Sequence, residues 1–278
     1  MQQTLNELAQ AAKDGSKDAL EEVVRQVQGT VYNLAIRMLK SPADAEDATQ
    51  EILIRLVTHL GQFRGESQFM TWVYRVASNV LINIARGDGR RSEVSFDDLS
   101  LRLEESLTAY EATPEEWHEN AALTEEVKRS CTLGMLLCLD VEDRMALVLG
   151  EVYEVSSNEG AAIMGISSTA YRKRLSRARQ QLVDFMSKQC GLINPDSVCR
   201  CHKHVGNKVR AGLLNPTQLT YVQPGLRSAA NAPVRLDPDP LRRTIVVLRS
   251  HPEYAARTDF AHLLRRMLEQ PDTAPDAY

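Results

Sequence analysis

Apolar residues recur at steps of three and four along this chain, and no other feature limits its fold as strongly. Leu20, Val23, Val24, Val27, Val31 and Leu34 form one such stripe, because that spacing puts side chains on one face of a helix. The helix punctuation agrees. Ser41-Pro42-Ala43-Asp44 supplies a Ser N-cap, a proline at the first helical position and an acid at the third. Ala45, Ala48, Ile52, Leu56 and Leu60 then continue one face, and Phe69, Trp72, Val73, Val76, Val80 and Ile84 mark a long helix ending at Gly87. Further on, Asp140-Val-Glu-Asp143 opens a helix with Met145, Val148, Leu149 and Val152 inward. Ser156-Ser-Asn-Glu159 is a capping-box signal, Gly165-Ile166-Ser167 a tight turn, and the helix from Ser168 carries Tyr171, Leu175, Ala178, Leu182 and Phe185 on one side. The expected fold class is all-α.

The 278 residues carry 33 basic and 37 acidic side chains, a net charge of −4 that hides a segregation. Between Glu93 and Glu126 lie eleven acids (Glu93, Asp97, Asp98, Glu104, Glu105, Glu111, Glu115, Glu116, Glu119, Glu125, Glu126) against one basic residue, Arg102. Between Ser168 and Leu182 lie five basic residues, Arg172, Lys173, Arg174, Arg177 and Arg179, and no acid. A basic stripe on a helix is the footprint of phosphate contacts. The organisation expected is a helical domain over 1–87, an acidic linker over 88–113, a second helical domain over 114–188 and a mostly helical extension over 189–278. No stretch approaches the ~18 apolar residues of a membrane span. The N-terminal residues lack the apolar core of a signal peptide, and the five cysteines are an odd number. Cytoplasmic residence without disulfides is the expectation.

Three faces carry more than packing. Asp44, Glu46, Asp47 and Glu51 crowd the first turns after Ser41; they either complement the helix dipole or dock a basic partner. Thr71, Tyr74, Arg75, Ser78 and Asn79 lie opposite the apolar stripe of their helix. With Trp72 beside them they could stack on and hydrogen-bond unpaired bases, or Trp72 could be core and Arg75 merely solvated. Helix, glycine turn and basic helix form either a helix-turn-helix or a helical hairpin with a solvated charged face; the run of positive charge favours DNA.

Asp44-Ala-Glu-Asp-Ala-Thr-Gln-Glu51, followed by Phe63-Arg-Gly-Glu-Ser-Gln-Phe-Met-Thr-Trp-Val-Tyr-Arg-Val-Ala-Ser-Asn79, closely resembles region two of the extracytoplasmic-function sigma factors, the small alternative initiation factors of bacterial RNA polymerase. The resemblance implies that Asp44, Asp47, Gln50 and Glu51 dock on the clamp helices of the largest polymerase subunit. It implies that Arg64, Gly65, Glu66, Ser67 and Phe69, with Asn79, capture a base flipped from the −10 element, and that Thr71, Trp72 and Arg75 grip the melted strand. Extruding a base costs a few kcal/mol, which a small polar pocket can offset selectively. Glu159, Ala161, Gly165-Ile166-Ser167 and Arg174-Leu-Ser-Arg-Ala-Arg179 resemble region four, which binds the −35 duplex. Ser168, Thr169, Arg172 and Lys173 would then lie near base edges, with Arg174 and Arg177 on phosphates. The implied partners are core polymerase, including the flap of the second-largest subunit, promoter DNA and in some cases an anti-sigma factor; no cofactor is required. Two positions depart from the pattern: Gly160 stands where Ile is usual and Tyr171 where a small β-branched residue is usual, which implies adjusted packing between the two helices.

The extension begins with Cys190-Gly-Leu-Ile-Asn-Pro-Asp-Ser-Val-Cys199-Arg-Cys201-His202-Lys-His204. Three thiols and two imidazoles could supply a zinc or copper site, redox thiols or inert ones. Flanking Arg200 and Lys203 are expected to lower the thiol pKa values. Cys131 and Cys138 read as core. Residues 206–232 read as loop, Asp239-Pro240 as the start of a helix with Leu241, Ile245 and Leu248 inward, and 252–269 as a second helix. A helix-turn-helix regulator acting without polymerase is the alternative; the Arg64–Asn79 motif argues against it. A metal-dependent enzyme is disfavoured because no general base accompanies the cysteines.

Overall fold

The computed structural model describes residues 3–87, 94–108, 120–222, 237–251 and 253–269. Helices α1 (Leu5–Lys13), α2 (Lys17–Leu39), α3 (Pro42–Thr58) and α4 (Phe69–Gly87) build an N-terminal bundle. Helices α6 (Ala121–Leu137), α7 (Val141–Leu147, continued by a π turn over Val148–Val152), α8 (Ser157–Met164) and α9 (Ser168–Gln189) build a second one. All described regular structure is helical. The expected starts hold: Ser41 Oγ accepts from Asp44 N, Asp140 caps α7, and Ser156 with Glu159 forms a capping box. Gly165 adopts φ 66°, the left-handed turn that only glycine adopts cheaply.

The two bundles share one continuous core. Helix α4 packs against α7 and α8. Tyr74 and Tyr153 stack with centroids 5.3 Å apart, and Tyr153 Oη donates to Thr30 O at 3.2 Å. Arg144 is the central tie. Its buried guanidinium donates to Met38 O, to Leu137 O at 3.3 Å and to Leu139 O at 3.1 Å, joining the C-terminal ends of α2 and α6. Burial lowers its pKa to about 10.

The described part of the acidic stretch is a helix. Helix α5 (Phe96–Thr108) starts with a reciprocal Ser95–Asp98 pair. It buries Leu103 and Ser106 and stacks Phe96 on Phe185 at 5.0 Å. Its acids face solvent, so this part of the linker docks through an amphipathic face while keeping its charge outward. The rest of the expected linker, and its boundary near 113, lie outside the described residues. Glu125 and Glu126, counted by sequence with that acidic run, are buried on α6. Glu125 pairs with Arg129 at 3.0 Å, and the Glu126 carboxylate accepts from the backbone N–H groups of Thr220, Tyr221 and Val222 at 2.8–3.0 Å.

The extension packs on both bundles, as its thin apolar content requires. Helix α10 (Val205–Arg210) occupies part of the expected loop; residues 223–232 of that loop lie outside the described residues. Asp239 caps α11 (Pro240–Arg249), which buries Thr244, Val247 and Leu248, a face rotated from the expected one. The last helix, α12 (Phe260–Glu269), starts eight residues later than expected, because 253–259 form an irregular strap whose backbone is captured by side chains of the first bundle.

Candidate functional site

Three surfaces carry the residues singled out by sequence. On α3, Ala45, Ala48 and Ile52 face the core, which turns Asp47 and Gln50 to solvent. Glu51 pairs with Arg55 at 2.5 Å, a half-exposed i,i+4 pair of the kind worth a few tenths of a kcal/mol. Asp44 is half-buried in the first turn.

The loop before α4 is shaped from a distance. Asn6 on α1 accepts from Phe69 N at 2.8 Å and donates to Gln68 Oε1 at 2.8 Å, so the cap of α4 comes from another helix. Lys13 donates to Phe63 O at 2.9 Å. Phe63, Phe69 and Trp72 form an aromatic cluster with centroids 5.1–5.9 Å apart. Phe69 is only 1% exposed. It is therefore a core residue that holds the loop, and it does not itself offer a surface to DNA. Arg64, Gly65, Glu66 and Ser67 are exposed, Gly65 with φ 72°. Thr71 and Trp72 are half-buried and Arg75 and Asn79 exposed; the four-residue steps from Thr71 to Asn79 align along one face. Ser78, which sequence put on that face, is fully buried against Met145, its Oγ donating to Sδ at 3.3 Å.

Helix α9 enters with Ser167 accepting from Ala170 N at 3.2 Å, and Ser168 donates to Asn158 Oδ1 at 3.0 Å. Thr169, Arg172 and Lys173 are exposed. The expected phosphate residues behave differently. Arg177 clamps the buried Asp143 through both Nε and Nη2, and this bond raises its pKa. Arg174 lies 3.6 Å from Asp143, and Arg179 pairs with Glu151. Three of the five basic residues are thus held by acids of α7 and the π turn, and the positive surface narrows to the first turns of α9.

Comparison with known proteins identifies the family. The Sigma-70 region 2 family matches residues 23–91, and Sigma-70 region 4 matches 129–182. The ECF RNA polymerase sigma-E factor of Escherichia coli is 33% identical over 176 residues, covering 63% of this chain and 90% of that protein. This chain is a member of the ECF sigma factor family. The RNA polymerase sigma-H factor of Pseudomonas aeruginosa is 31% identical over 180 residues, covering 63% of this chain and 90% of its own. The ECF sigma factor SigE of Mycolicibacterium smegmatis is 31% identical over 169 residues, and this chain spans 62% of its length. The protein is accordingly an alternative sigma factor, a transcription initiation factor of a family that is not enzymatic. Among the described residues no helix is long and apolar enough to cross a membrane.

The two departures in this sigma factor compensate each other. A Cβ on Gly160 would stand 2.3 Å from Tyr171 Cζ. The phenol fills the space that a side chain at 160 would take, is fully buried and donates to Ala146 O at 3.1 Å. Burial raises its pKa to about 12.

The cysteine segment is only partly gathered. Cys131, Cys190, Cys199, Cys201 and His204 line one cavity of about 320 Å³ together with Lys40 and Lys208. Cys199 Sγ meets His204 Nε2 at 3.2 Å, and His204 Nδ1 meets Ser106 Oγ at 2.9 Å. His202 does not line the cavity, and among the described residues no group of three or more donors is arranged to hold a metal ion. The expected depression of the thiol pKa values is reversed. Burial pushes Cys190 to about 12, Cys199 to about 11 and Cys201 well up. The Arg200 guanidinium turns to the carbonyls of Ser197, Cys199 and Pro195, so desolvation outweighs its charge. Cys131, read from sequence as plain core, joins this cavity because α6 faces the segment that follows α9; helical periodicity could not signal that.

Proposed function

We propose that the N-terminal bundle (1–87) docks core RNA polymerase through Asp44, Asp47, Gln50 and Glu51 on the largest-subunit clamp helices. The adjoining face opens and captures the −10 strand, with Arg64, Gly65, Glu66 and Ser67 lining the base pocket and Thr71, Trp72, Arg75 and Asn79 gripping the strand. Phe69 shapes that pocket from within. The second bundle (114–188) reads −35 duplex through Ser168, Thr169, Arg172 and Lys173 and contacts the flap of the second-largest subunit. Arg174 and Arg177 reach phosphates only by exchanging their partners on α7.

The observation that carries this reading is the alignment of half-buried Thr71 with exposed Arg75 and Asn79 along one helix face directly behind the Arg64–Ser67 loop, within the segment matched to region 2. Run-off transcription with purified core polymerase, on a promoter the protein selects from a genomic library, tests it. Asn79→Ala and Arg75→Ala should cut open-complex formation at least tenfold on duplex template and less on a template pre-melted at −10; equal losses on both would place these residues elsewhere.

A second reading starts from the contact between Cys199 and His204, with three further cysteines around the same cavity: among the described residues these groups do not converge as three ligands, and zinc or copper would bind by drawing them together as the thiols deprotonate. Elemental analysis of the reduced protein against a C190S/C199S/C201S variant should then give about one ion per chain, lost in the variant. A separate anti-sigma partner would have to work on a surface the extension leaves open.

A further inference from the structure

The strap before α12 is held by side chains of the first bundle acting on backbone groups. Asn33 on α2 pairs with Tyr254 in both directions, Nδ2 donating to the carbonyl and Oδ1 accepting from the N–H, each at 2.8 Å. Gln28 Oε1 accepts from Phe260 N at 3.0 Å and Ala261 N at 3.2 Å, capping α12 from another element. Glu46 on α3 accepts from Arg257 N at 2.9 Å. The Arg37 guanidinium lies 5.4 Å from the centre of the Tyr254 ring. Tyr254, Phe260 and Ala261 are buried beneath these bonds.

Most of this fastening is on α2, and through Glu46 it reaches the docking helix α3. Glu46, whose carboxylate is occupied by the strap, is one turn before Gln50 on the same face. Gln50 and Ile54 then form one wall of a groove of about 450 Å³ whose other wall is Phe260, Leu263 and Leu264. The groove is not sealed: Ile54 is 52% exposed and Leu263 39%. Helix α12 therefore flanks α3 without burying its own apolar face fully, as expected of an element held reversibly.

We propose that residues 253–269 are a built-in competitor of core RNA polymerase. With the strap closed, α12 stands in the approach to Gln50 and Ile54, and a polymerase helix laid along α3 meets it there. Polymerase docks on molecules whose strap has opened, and docking in turn stabilises the open strap. The inference rests on the reading of Asp44, Asp47, Gln50 and Glu51 as docking residues.

Equilibrium binding of the full chain to purified core polymerase tests it. Phe260→Asp with Leu264→Asp removes the apolar anchor, and Gln28→Ala removes the cap while leaving the α3 side chains in place. A strap closed in about nine-tenths of molecules raises the apparent Kd about tenfold. The double variant should therefore bind about tenfold tighter, and Gln28→Ala should bind tighter by a smaller factor. Hydrogen exchange should show faster exchange over 253–269 with the α3 and α4 amides unchanged. Equal or weaker binding by a variant whose strap exchanges faster overturns the proposal, and so does strap exchange that both changes leave untouched. Gln50→Ala in the released background separates the two readings. If it weakens binding while strap release did not tighten it, only the competition fails; if it leaves binding unchanged, the docking assignment itself fails.

Discussion

The two surfaces assigned to DNA are built on opposite principles. On α4, Arg75 and Asn79 stand exposed, and the local architecture is apolar: the Phe63–Phe69–Trp72 cluster and a cap borrowed from Asn6. On α9 the charge is knitted into the domain, with Arg174, Arg177 and Arg179 on acids of α7 and the π turn. On the first surface the exposed Arg75 and Asn79 can be altered with little effect on folding. The second cannot, because a buried acid such as Asp143 and its arginine partner are structural. A count of basic residues therefore overstates the charge that α9 offers to a phosphate.

The comparison breaks most sharply at the α8–α9 contact. Gly160→Ile should destabilise by about 3 kcal/mol or more in urea unfolding, since overpacking on an immobile ring has no outlet. Tyr171→Val should cost about 2–4 kcal/mol through its cavity and lost hydrogen bond. The double change should recover much of that sum, a coupling that additive costs would disprove. Asp143→Asn comes next, with an expected loss of about 1–3 kcal/mol from a half-broken buried pair, whereas Arg75→Ala should leave the unfolding midpoint within about 0.5 kcal/mol of the parent. Salt titration of −35 duplex binding gives a finer test. Arg172→Ala and Lys173→Ala should each lower the slope of log K against log salt by about 1, whereas Arg177→Ala should lower it by less. A full unit lost at Arg177 would show that DNA displaces Asp143.

The smallest effect concerns pH. The buried imidazole of His251 meets the hydroxyl of Tyr254 in the strap. Burial lowers its pKa to about 3 from its ordinary 6.5, so a strap opening that exposes His251 lets it bind a proton that the closed form rejects. The contribution of His251 to closure is fully present above pH 6.5 and is lost as pH falls toward 3, by about 1.4 kcal/mol per unit at most. Strap protection factors, taken relative to the intrinsic exchange rate at each pH, should fall between pH 6.5 and 5, and His251→Gln should flatten the dependence.

Much of this was legible in the residues themselves. Ser41, Asp140, Ser156 and Asp239 cap helices that start where expected, because capping is local chemistry between a side chain and an N–H two or three residues on. The late start of α12 was not legible, because Gln28, more than two hundred residues away, supplies its cap. Nor was the role of Glu126, which looks like linker charge until the backbone of Thr220–Val222 is seen on its carboxylate.

By itself the sequence determined the all-α class, the capped starts of α3, α7, α8 and α11 and the sigma-factor motifs, since periodicity, caps and motif spacing act over a few residues. Tertiary structure alone decided which charges remain available and what lies beside α3. Ion pairs between α7 and α9, desolvation of the cysteines, and the seating of the strap on Asn33, Gln28 and Glu46 all join groups far apart in the chain. Their strength depends on burial and distance, which become defined only when the chain has folded.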